Sequence, residues 1–139
     1  MNIVQIEDSV KHLVKNVLGG TASQKDFIYD FLLSYGHRSQ SVGRVRSGER
    51  NLAEDKENSI CWKRQLYFKI AKQQDLHSLI DQMKKEKRTE SNKIRFLIVT
   101  DFKTLLAVDT KTQDTLDVTF GDLAKKFDFF LPWAGMEKA

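Results

Sequence analysis

Residues 93–135 form the most hydrophobic part of the chain and carry its clearest turn signals. Residues 94–99 (IRFLIV) hold an almost continuous apolar run of strand length, which indicates a strand covered on both faces. Residues 104–108 (TLLAV) predict a second strand, paired with the first as a hairpin. After the turn-forming run 109–114 (DTKTQD), residues 115–120 (TLDVTF) alternate as a third strand. A hydrophobic three-stranded sheet is therefore expected in the last third of the chain.

Two amphipathic helices are predicted at the start of the chain. In residues 3–18, apolar side chains recur every three or four positions, and Gly19-Gly20 ends the pattern. Ser23 is expected to open a second helix as its N-cap, with Asp26 three residues on; its apolar stripe falls on residues 27–35, and Gly36 closes it. Both helices are expected to cover the sheet.

Further helices are predicted before and after the strands. Asp75 is expected to cap a third helix, which leads into a solvated, lysine-rich connection at residues 84–93. Thr119 and Asp122 resemble the start of a capping box and predict a last helix. The aromatic residues 129–133 are too apolar for a free tail. They either pack on this domain or dock onto something that follows.

Residues 59–70 (SICWKRQLYFKI) show period-two alternation, which predicts one central amphipathic strand. Trp62 and Arg64 fall on its apolar side, where Arg64 is the misfit. Lys63 and Lys69 fall on the opposite, open side.

The polar segment 37–56 holds a group of arginines. A short edge strand at residues 41–46 would place Arg44 and Arg46 on one face and Val45 on the other. Guanidinium groups bind phosphates bidentately, so the group is a candidate phosphate contact. The alternative is a solvated loop whose neighbouring acids roughly cancel the charge. The arginine group consists of Arg38, Arg44, Arg46 and Arg50.

Composition places the chain among single-domain globular proteins. Its 139 residues are 40% hydrophobic and 30% charged, and they include no apolar run long enough for a transmembrane helix. The first residues lack the layout of a signal peptide, and the single Cys61 is typical of a reducing cytoplasm. The net charge of +4 is compatible with nucleic acid without requiring it. We predict an α/β or α+β fold with a mixed sheet of about four to five strands flanked by helices.

The strings VTDFKTLLAVDTKT and FFLPWAGMEK carry a family resemblance, to which FIYDFLLSYG, RVRSGERNLA and ICWKRQLYFKI add. Over roughly residues 25–138 the chain resembles the N-terminal region of large adenosylmethionine-dependent DNA methyltransferases of type II restriction–modification systems, the type IIG and MmeI-like enzymes. The resemblance implies a bacterial, cytoplasmic protein in which later domains bind adenosylmethionine and methylate adenine. It also implies a core like that of the PD-(D/E)xK nucleases, with residues 1–139 as one N-terminal domain and 128–139 as the start of a connector. Its partners would be double-stranded DNA and the following domains of the same chain.

The chain itself lacks the motifs of methyl transfer. It has no adenosylmethionine-binding glycine loop and no Asn/Asp-Pro-Pro-aromatic tetrapeptide, since Pro132 is its only proline. Gly43 and Gly48 have P-loop spacing but are followed by Glu49-Arg50 rather than Lys-Ser/Thr. We therefore expect no bound cofactor in this region.

The resemblance also points to three positions of a degenerate nuclease site. A PD-(D/E)xK site needs two acids that hold Mg²⁺ and a lysine that orients water. Lys63 matches the lysine, whereas Cys61 and Asn51 stand where the acids are needed. A thiol serves a hard cation poorly, so we expect no metal site and no confident catalytic residue. The predicted DNA contacts are Arg44, Arg46, Arg50, Lys63 and Lys69.

Three hypotheses remain open from the sequence. The first is a structural or DNA-contacting N-terminal domain of a methyltransferase. The second is a working Mg²⁺-dependent endonuclease with an unconventional acid set, in which Glu54, Asp55 or Glu57 replaces the acid missing at Asn51. The third is a non-catalytic adaptor that docks through its aromatic C-terminus.

Overall fold

The computed structural model describes residues 1–137, which form a mixed α/β fold. Its helices are α1 (Ile3–Leu18), α2 (Phe27–Ser34), α3 (Ser39–Arg46), α4 (Leu76–Lys85) and α5 (Lys87–Ser91). Its strands are β1 (Ser59–Trp62), β2 (Leu66–Ile70), β3 (Phe96–Thr100), β4 (Thr104–Asp109) and β5 (Thr115–Thr119). A 3₁₀-helical segment, Phe120–Ala134, follows β5 and is kinked at Lys126.

The strands lie in one sheet in the order β1-β2-β3-β4-β5. The pair β2–β3 is parallel, and the other three pairs are antiparallel. The parallel pair requires a crossover, which α4 and α5 supply. This mixed five-stranded sheet flanked by helices confirms the predicted fold class.

The C-terminal three-stranded unit follows the sequence pattern closely. Every residue of β3 is buried, as expected for a central strand covered on both faces. In β5 only Leu116 and Val118 are buried, so its alternation marks a sheet edge with one solvated face. The predicted hairpin is confirmed, because β3 and β4 pair antiparallel.

One face of the sheet carries an aromatic layer beneath α1, α2 and the 3₁₀ segment. Phe130 is fully buried, and its ring centroid lies 5.1 Å from those of Phe31, Phe96 and Trp133. The hydroxyl of Tyr35 donates to the carbonyl of Phe127 at 2.6 Å, which ties α2 to the 3₁₀ segment. The aromatic layer consists of Phe27, Phe31, Tyr35, Phe96, Phe102, Phe120, Phe130 and Trp133. Of the two alternatives for residues 129–133, the structure has them packed on this domain; Lys138 and Ala139 of the predicted connector lie outside the described residues.

The opposite face is covered by α4. Its buried residues Leu79, Ile80 and Met83 recur at helical spacing and pack on the sheet. The carboxylate of Asp75 accepts from the backbone N–H of Ser78 at 2.9 Å, which confirms the predicted N-cap.

The prediction of one strand over residues 59–70 is wrong. The segment is a hairpin in which β1 and β2 pair antiparallel, with Cys61 opposite Tyr67. Arg64 has a φ of 69°, which reverses the chain, and the alternation misfit is therefore a turn residue. The hairpin lies at one edge of the sheet rather than at its centre, and both Cys61 and Tyr67 are buried.

The predicted edge strand at residues 41–46 is also wrong, because these residues belong to helix α3. Val42 and Val45 are three residues apart and both buried, because a helix places them on one face, whereas a strand would turn them to opposite faces. The alternation around Val45 was too short to distinguish the two periods.

Three helix predictions need smaller corrections. Helix α2 begins at Phe27 with Asp26 as N-cap, so Ser23 is not its N-cap. The connection 84–93 contains the short helix α5, in which Thr89 is buried and donates to the carbonyl of Met83. Within residues 1–137 the Thr119 side chain makes no capping hydrogen bond, so the last helix begins without the predicted capping box. Its start is instead anchored by the buried Phe120.

Candidate functional site

Asn51 lies in the interior and joins the loop after α3 to strand β1. Its side-chain amide donates to the carbonyl of Ser59 at 3.0 Å. Its carbonyl oxygen accepts from the backbone N–H of Ala53 at 3.1 Å and of Cys61 at 2.9 Å. These bonds require both a donor and an acceptor at this position, so an amide fits it and a carboxylate does not.

Cys61 is fully buried in the core on the α4 face of the sheet. Burial raises the pKa of its thiol to about 11, against the smaller opposing effect of the Arg88 charge. The thiol is therefore protonated at neutral pH and does not present the thiolate that binds metals.

Lys63 lies on the exposed turn between β1 and β2 instead of on an open strand face. The fold therefore brings Asn51 and Cys61 together, because the backbone N–H of Cys61 donates to the side chain of Asn51. Lys63 lies beyond the end of β1. In the part of the chain that the structure describes, no three His, Cys, Asp or Glu side chains converge as a metal site.

Two of the three acids proposed to replace a missing metal ligand, Glu54 and Asp55, are engaged in local contacts. The carboxylate of Glu54 forms an ion pair with Arg88 at 2.9 Å. Asp55 accepts from the Asn58 side chain and from the backbone of Glu57 and Asn58, and these hydrogen bonds lower the pKa of its carboxyl group.

Arg88 connects segments that are far apart in the sequence. Its guanidinium also donates to the carbonyl of Leu52 at 3.1 Å and pairs with Glu86 at 2.9 Å. Glu86 in turn accepts from the hydroxyl of Tyr67 at 2.9 Å. Burial, reinforced by this hydrogen bond, raises the pKa of Tyr67. Sequence reasoning missed this network, because nothing in the local pattern links Arg88 to residues more than thirty positions earlier.

The arginine group lies on and beside α3. Arg44 and Arg50 are exposed. Arg46 instead pairs with Asp26 at 3.0 Å, and its guanidinium carbon lies 4.6 Å from the centre of the Tyr29 ring. Only part of the predicted group is thus open to a ligand without breaking a contact.

Lys69 is half-buried on β2. Its Nζ lies 4.0 Å from a carboxylate oxygen of Glu86 and 5.5 Å from the centre of the Tyr67 ring. It therefore belongs to the network around Glu86 and is separate from the arginine group.

The structure also brings together cations that sequence reasoning did not single out. They line a cleft of about 720 Å³ at the end of the sheet where β1 meets β2 and β4 meets β5. The cations of this basic cleft are Arg64, Lys84, Lys93, Arg95 and Lys111. A cation in each of three polar turns was the available signal, but no local pattern indicated that those turns meet.

None of the helices within residues 1–137 is long and apolar enough to cross a membrane. Comparison with known proteins matches the whole chain, residues 1–139, to the N-terminal domain of MmeI. The chain is also 33% identical over 138 residues to DNA methyltransferase A of Bacillus subtilis strain 168, covering 99% of this chain and 15% of that protein. No solved structure matches the chain. The predicted family resemblance is confirmed, and the chain belongs to the family of MmeI N-terminal domains.

Proposed function

We propose that this chain is the N-terminal domain of a restriction–modification DNA methyltransferase, with a structural or DNA-contacting role. The observation that carries the proposal is the similarity of 99% of the chain to a protein named DNA methyltransferase A. The chain spans about 15% of the length of that relative, so methyl transfer is assigned to a later domain. Adenosylmethionine, double-stranded DNA and the following domains are then the cofactor and partners of the parent protein, which we place in the cytoplasm with adenine as its target base.

A non-catalytic role for the domain is supported by how the nuclease-like positions are used. The side-chain amide of Asn51 forms hydrogen bonds with backbone groups through both its nitrogen and its oxygen. Cys61 is a buried thiol with a raised pKa. Both residues therefore hold the loop after α3 against the sheet. Lys63 lies on an exposed turn, where it can meet DNA phosphates but has no adjacent acid from β1.

The DNA-contacting part of the role has several candidate residues. Arg44, Arg50 and Lys63 are exposed and remain predicted contacts. Arg46 and Lys69 are weaker candidates, since each would have to leave an acidic partner, Asp26 or Glu86.

Calorimetric titration with adenosylmethionine tests the proposal directly. The purified 139-residue chain should give no binding heat, whereas a full-length methyltransferase of the family serves as the positive control. Saturable binding of adenosylmethionine to the chain alone would contradict the assignment of cofactor binding to a later domain.

A plasmid-nicking assay with Mg²⁺ or Mn²⁺ separates this proposal from the endonuclease hypothesis. The chain should leave supercoiled plasmid intact, and Lys63→Ala should change nothing. Nicking that disappears in Lys63→Ala would establish the nuclease reading instead. In the same preparations, DNA retention that falls with salt and with a joint change of Arg44 and Arg46 would count against the adaptor hypothesis.

A further inference from the structure

The basic cleft is built where three loops meet at one end of the sheet. Strands β2 and β3 start there side by side, with Leu66 beside Phe96, and Asp109 at the end of β4 lies opposite Phe96. The β1–β2 turn, the α5–β3 connection and the β4–β5 turn are therefore neighbours. Each of them supplies a cation, namely Arg64, Lys93 and Lys111.

Hydrogen bonds hold the loops in place. The backbone N–H of Arg64 donates to the carbonyl of Asn92 at 3.0 Å, which joins the first loop to the second. The N–H of Thr110 donates to the carbonyl of Arg95 at 2.9 Å, which joins the second to the third. These two hydrogen bonds fix the three loops relative to one another. The backbone positions that carry the cations therefore keep a constant spacing.

The backbone of the cleft is also strained. Arg64, Lys93 and Gln113 have φ values of 69°, 51° and 66°, in the left-handed region that favours glycine. All three residues line the cleft. Non-glycine residues keep such conformations only where the surrounding structure demands them, and they concentrate at functional sites.

One cation of the cleft is held in strong ion pairs, and three others are available to bind a ligand. Arg95 is committed, because its guanidinium pairs with Asp109 at 2.8 Å and with Glu137 at 2.7 Å. Arg64, Lys93 and Lys111 are exposed, and within residues 1–137 none of them has an acidic partner within 4.0 Å.

The remaining charges leave the rim positive. Lys84 lies 3.9 Å from Asp81, so part of its charge is offset. Among the cleft-lining residues, Glu90 contributes a negative charge. The three available cations outweigh it.

We propose that the basic cleft binds the phosphate backbone of duplex DNA, which rests on the proposed role in a DNA methyltransferase. Lysine and arginine neutralise backbone phosphates, and contacts of this kind position a protein on DNA without reading its sequence. Cations spread over three loops suit a row of phosphates better than one isolated phosphate. The arginine group on α3 is the poorer candidate, because Arg46 is already paired with Asp26.

The test compares two variants of the 139-residue chain that lose the same charge. The cleft variant carries Arg64→Gln, Lys93→Gln and Lys111→Gln. The matched control carries Lys11→Gln, Lys15→Gln and Lys126→Gln, which are exposed cations that do not line the cleft. Binding of a fluorescent 20-base-pair duplex is measured by anisotropy between 50 and 200 mM NaCl, with circular dichroism to check folding.

The cleft variant is expected to bind the duplex at least about tenfold more weakly at the lowest salt, with the slope of log affinity against log salt reduced by about 2–3. The matched control should change affinity less than about threefold. Equal losses in both variants, or no loss in the cleft variant, would overturn the proposal. If the triple cleft variant is unfolded, Lys93→Gln with Lys111→Gln gives the same comparison against Lys11→Gln with Lys15→Gln.

Two further arms separate this proposal from the broader function. Inorganic polyphosphate that binds as tightly as the duplex, with the same loss in the cleft variant, would overturn the assignment to DNA. Absence of duplex binding by the unmodified chain would overturn the cleft proposal but leave the methyltransferase assignment to the adenosylmethionine titration. Duplex binding by the unmodified chain that the cleft variant fully retains would overturn the cleft proposal, keep a DNA-contacting role and place it on another surface.

Discussion

The aromatic layer and the basic cleft adjoin each other but are built by opposite means. The layer consists of rings that alternate or recur along helices and strands, and its members meet because burial removes them from water. The cleft consists of exposed cations on turns, and its members meet only because the strands bring the turns to one end of the sheet. Trp133 lines the cleft and also stacks on Phe130, so the layer supports the cleft from below.

Arg95 belongs to both regions. Its guanidinium carbon lies 5.4 Å from the centre of the Phe96 ring, and its charge is taken up by Asp109 and Glu137. It therefore joins the sheet to Glu137, beyond the end of the 3₁₀ segment at Ala134. The aromatic layer stabilises the fold, and the basic cleft is the surface proposed for ligand contact. Arg95 lies between them and stabilises the fold through its ion pairs.

Removing a ring from the layer should have the largest effect on stability. Phe130→Ala is expected to lower the free energy of unfolding by about 3–5 kcal/mol, because it deletes a fully buried ring and leaves a cavity. Urea denaturation followed by tryptophan fluorescence measures the change. Phe129→Ala is the matched control, since that ring is only partly buried and should cost clearly less. Equal losses of stability in Phe130→Ala and Phe129→Ala would show that the burial of a ring does not determine how much it contributes to stability here.

Arg95→Met should have the next largest effect, and it should depend on pH. At neutral pH we expect a loss of about 1.5–3 kcal/mol, because the largely buried Asp109 loses its charged hydrogen-bond partner. Burial by itself would raise the pKa of Asp109, but Arg95 and the backbone N–H groups of the turn lower it.

The sign of this pH dependence follows from the depressed pKa of Asp109. The stabilisation is present above the unfolded pKa, near about 4, and is lost as the pH falls through the lower folded pKa. The difference between the original chain and Arg95→Met should therefore shrink below about pH 4. Unfolding curves at pH 7 and pH 3 check this, and a difference that grows in acid would contradict the role of Arg95. Asp109→Asn keeps the turn acceptor and should abolish most of the pH-dependent part.

Asn51→Asp tests whether this position of the predicted degenerate nuclease site has a structural role in the interior. A carboxylate would face the carbonyl of Ser59 without a donor, so we expect a loss of at least about 1–3 kcal/mol. Asn16→Asp is a control on an exposed helical position and should cost at most about 1 kcal/mol through the helix dipole. A neutral or stabilising effect of Asn51→Asp would mean that this position tolerates an acid, which would revive the metal-site hypothesis.

Neutralising the cleft should have the smallest effect on stability. Arg64→Gln, Lys93→Gln and Lys111→Gln together are expected to change the free energy of unfolding by no more than about 0.5 kcal/mol per residue, since the three cations are exposed. Thermal denaturation in low salt measures the sum. A large destabilisation would show that these cations hold the fold together and would erase the contrast with the aromatic layer.

The errors made from the sequence trace to particular residues. Arg64 interrupts the alternation of residues 59–70, and that misfit was the signal of a turn, because a positive φ joins two strands where the pattern alone suggests one. Val42 and Val45 fit a helix as well as an edge strand over so short a stretch, and packing onto the core decided between them. Asn51 and Cys61 were identified as positions without acids, but their roles in the interior depend on neighbours that the sequence does not place beside them.

Local patterns were enough to predict that β3 is covered on both faces, that it forms a hairpin with β4, that β5 alternates, and that α1, α2 and α4 are helices, because each rests on a periodicity within one segment. The sequence also indicated the family, through strings along the chain. The three-dimensional arrangement was needed to show that β1 and β2 form a hairpin and that Arg64, Lys93 and Lys111 share one cleft. These outcomes depend on which strands pair and in which direction, and that choice is made by the burial of the whole sheet rather than by any local pattern.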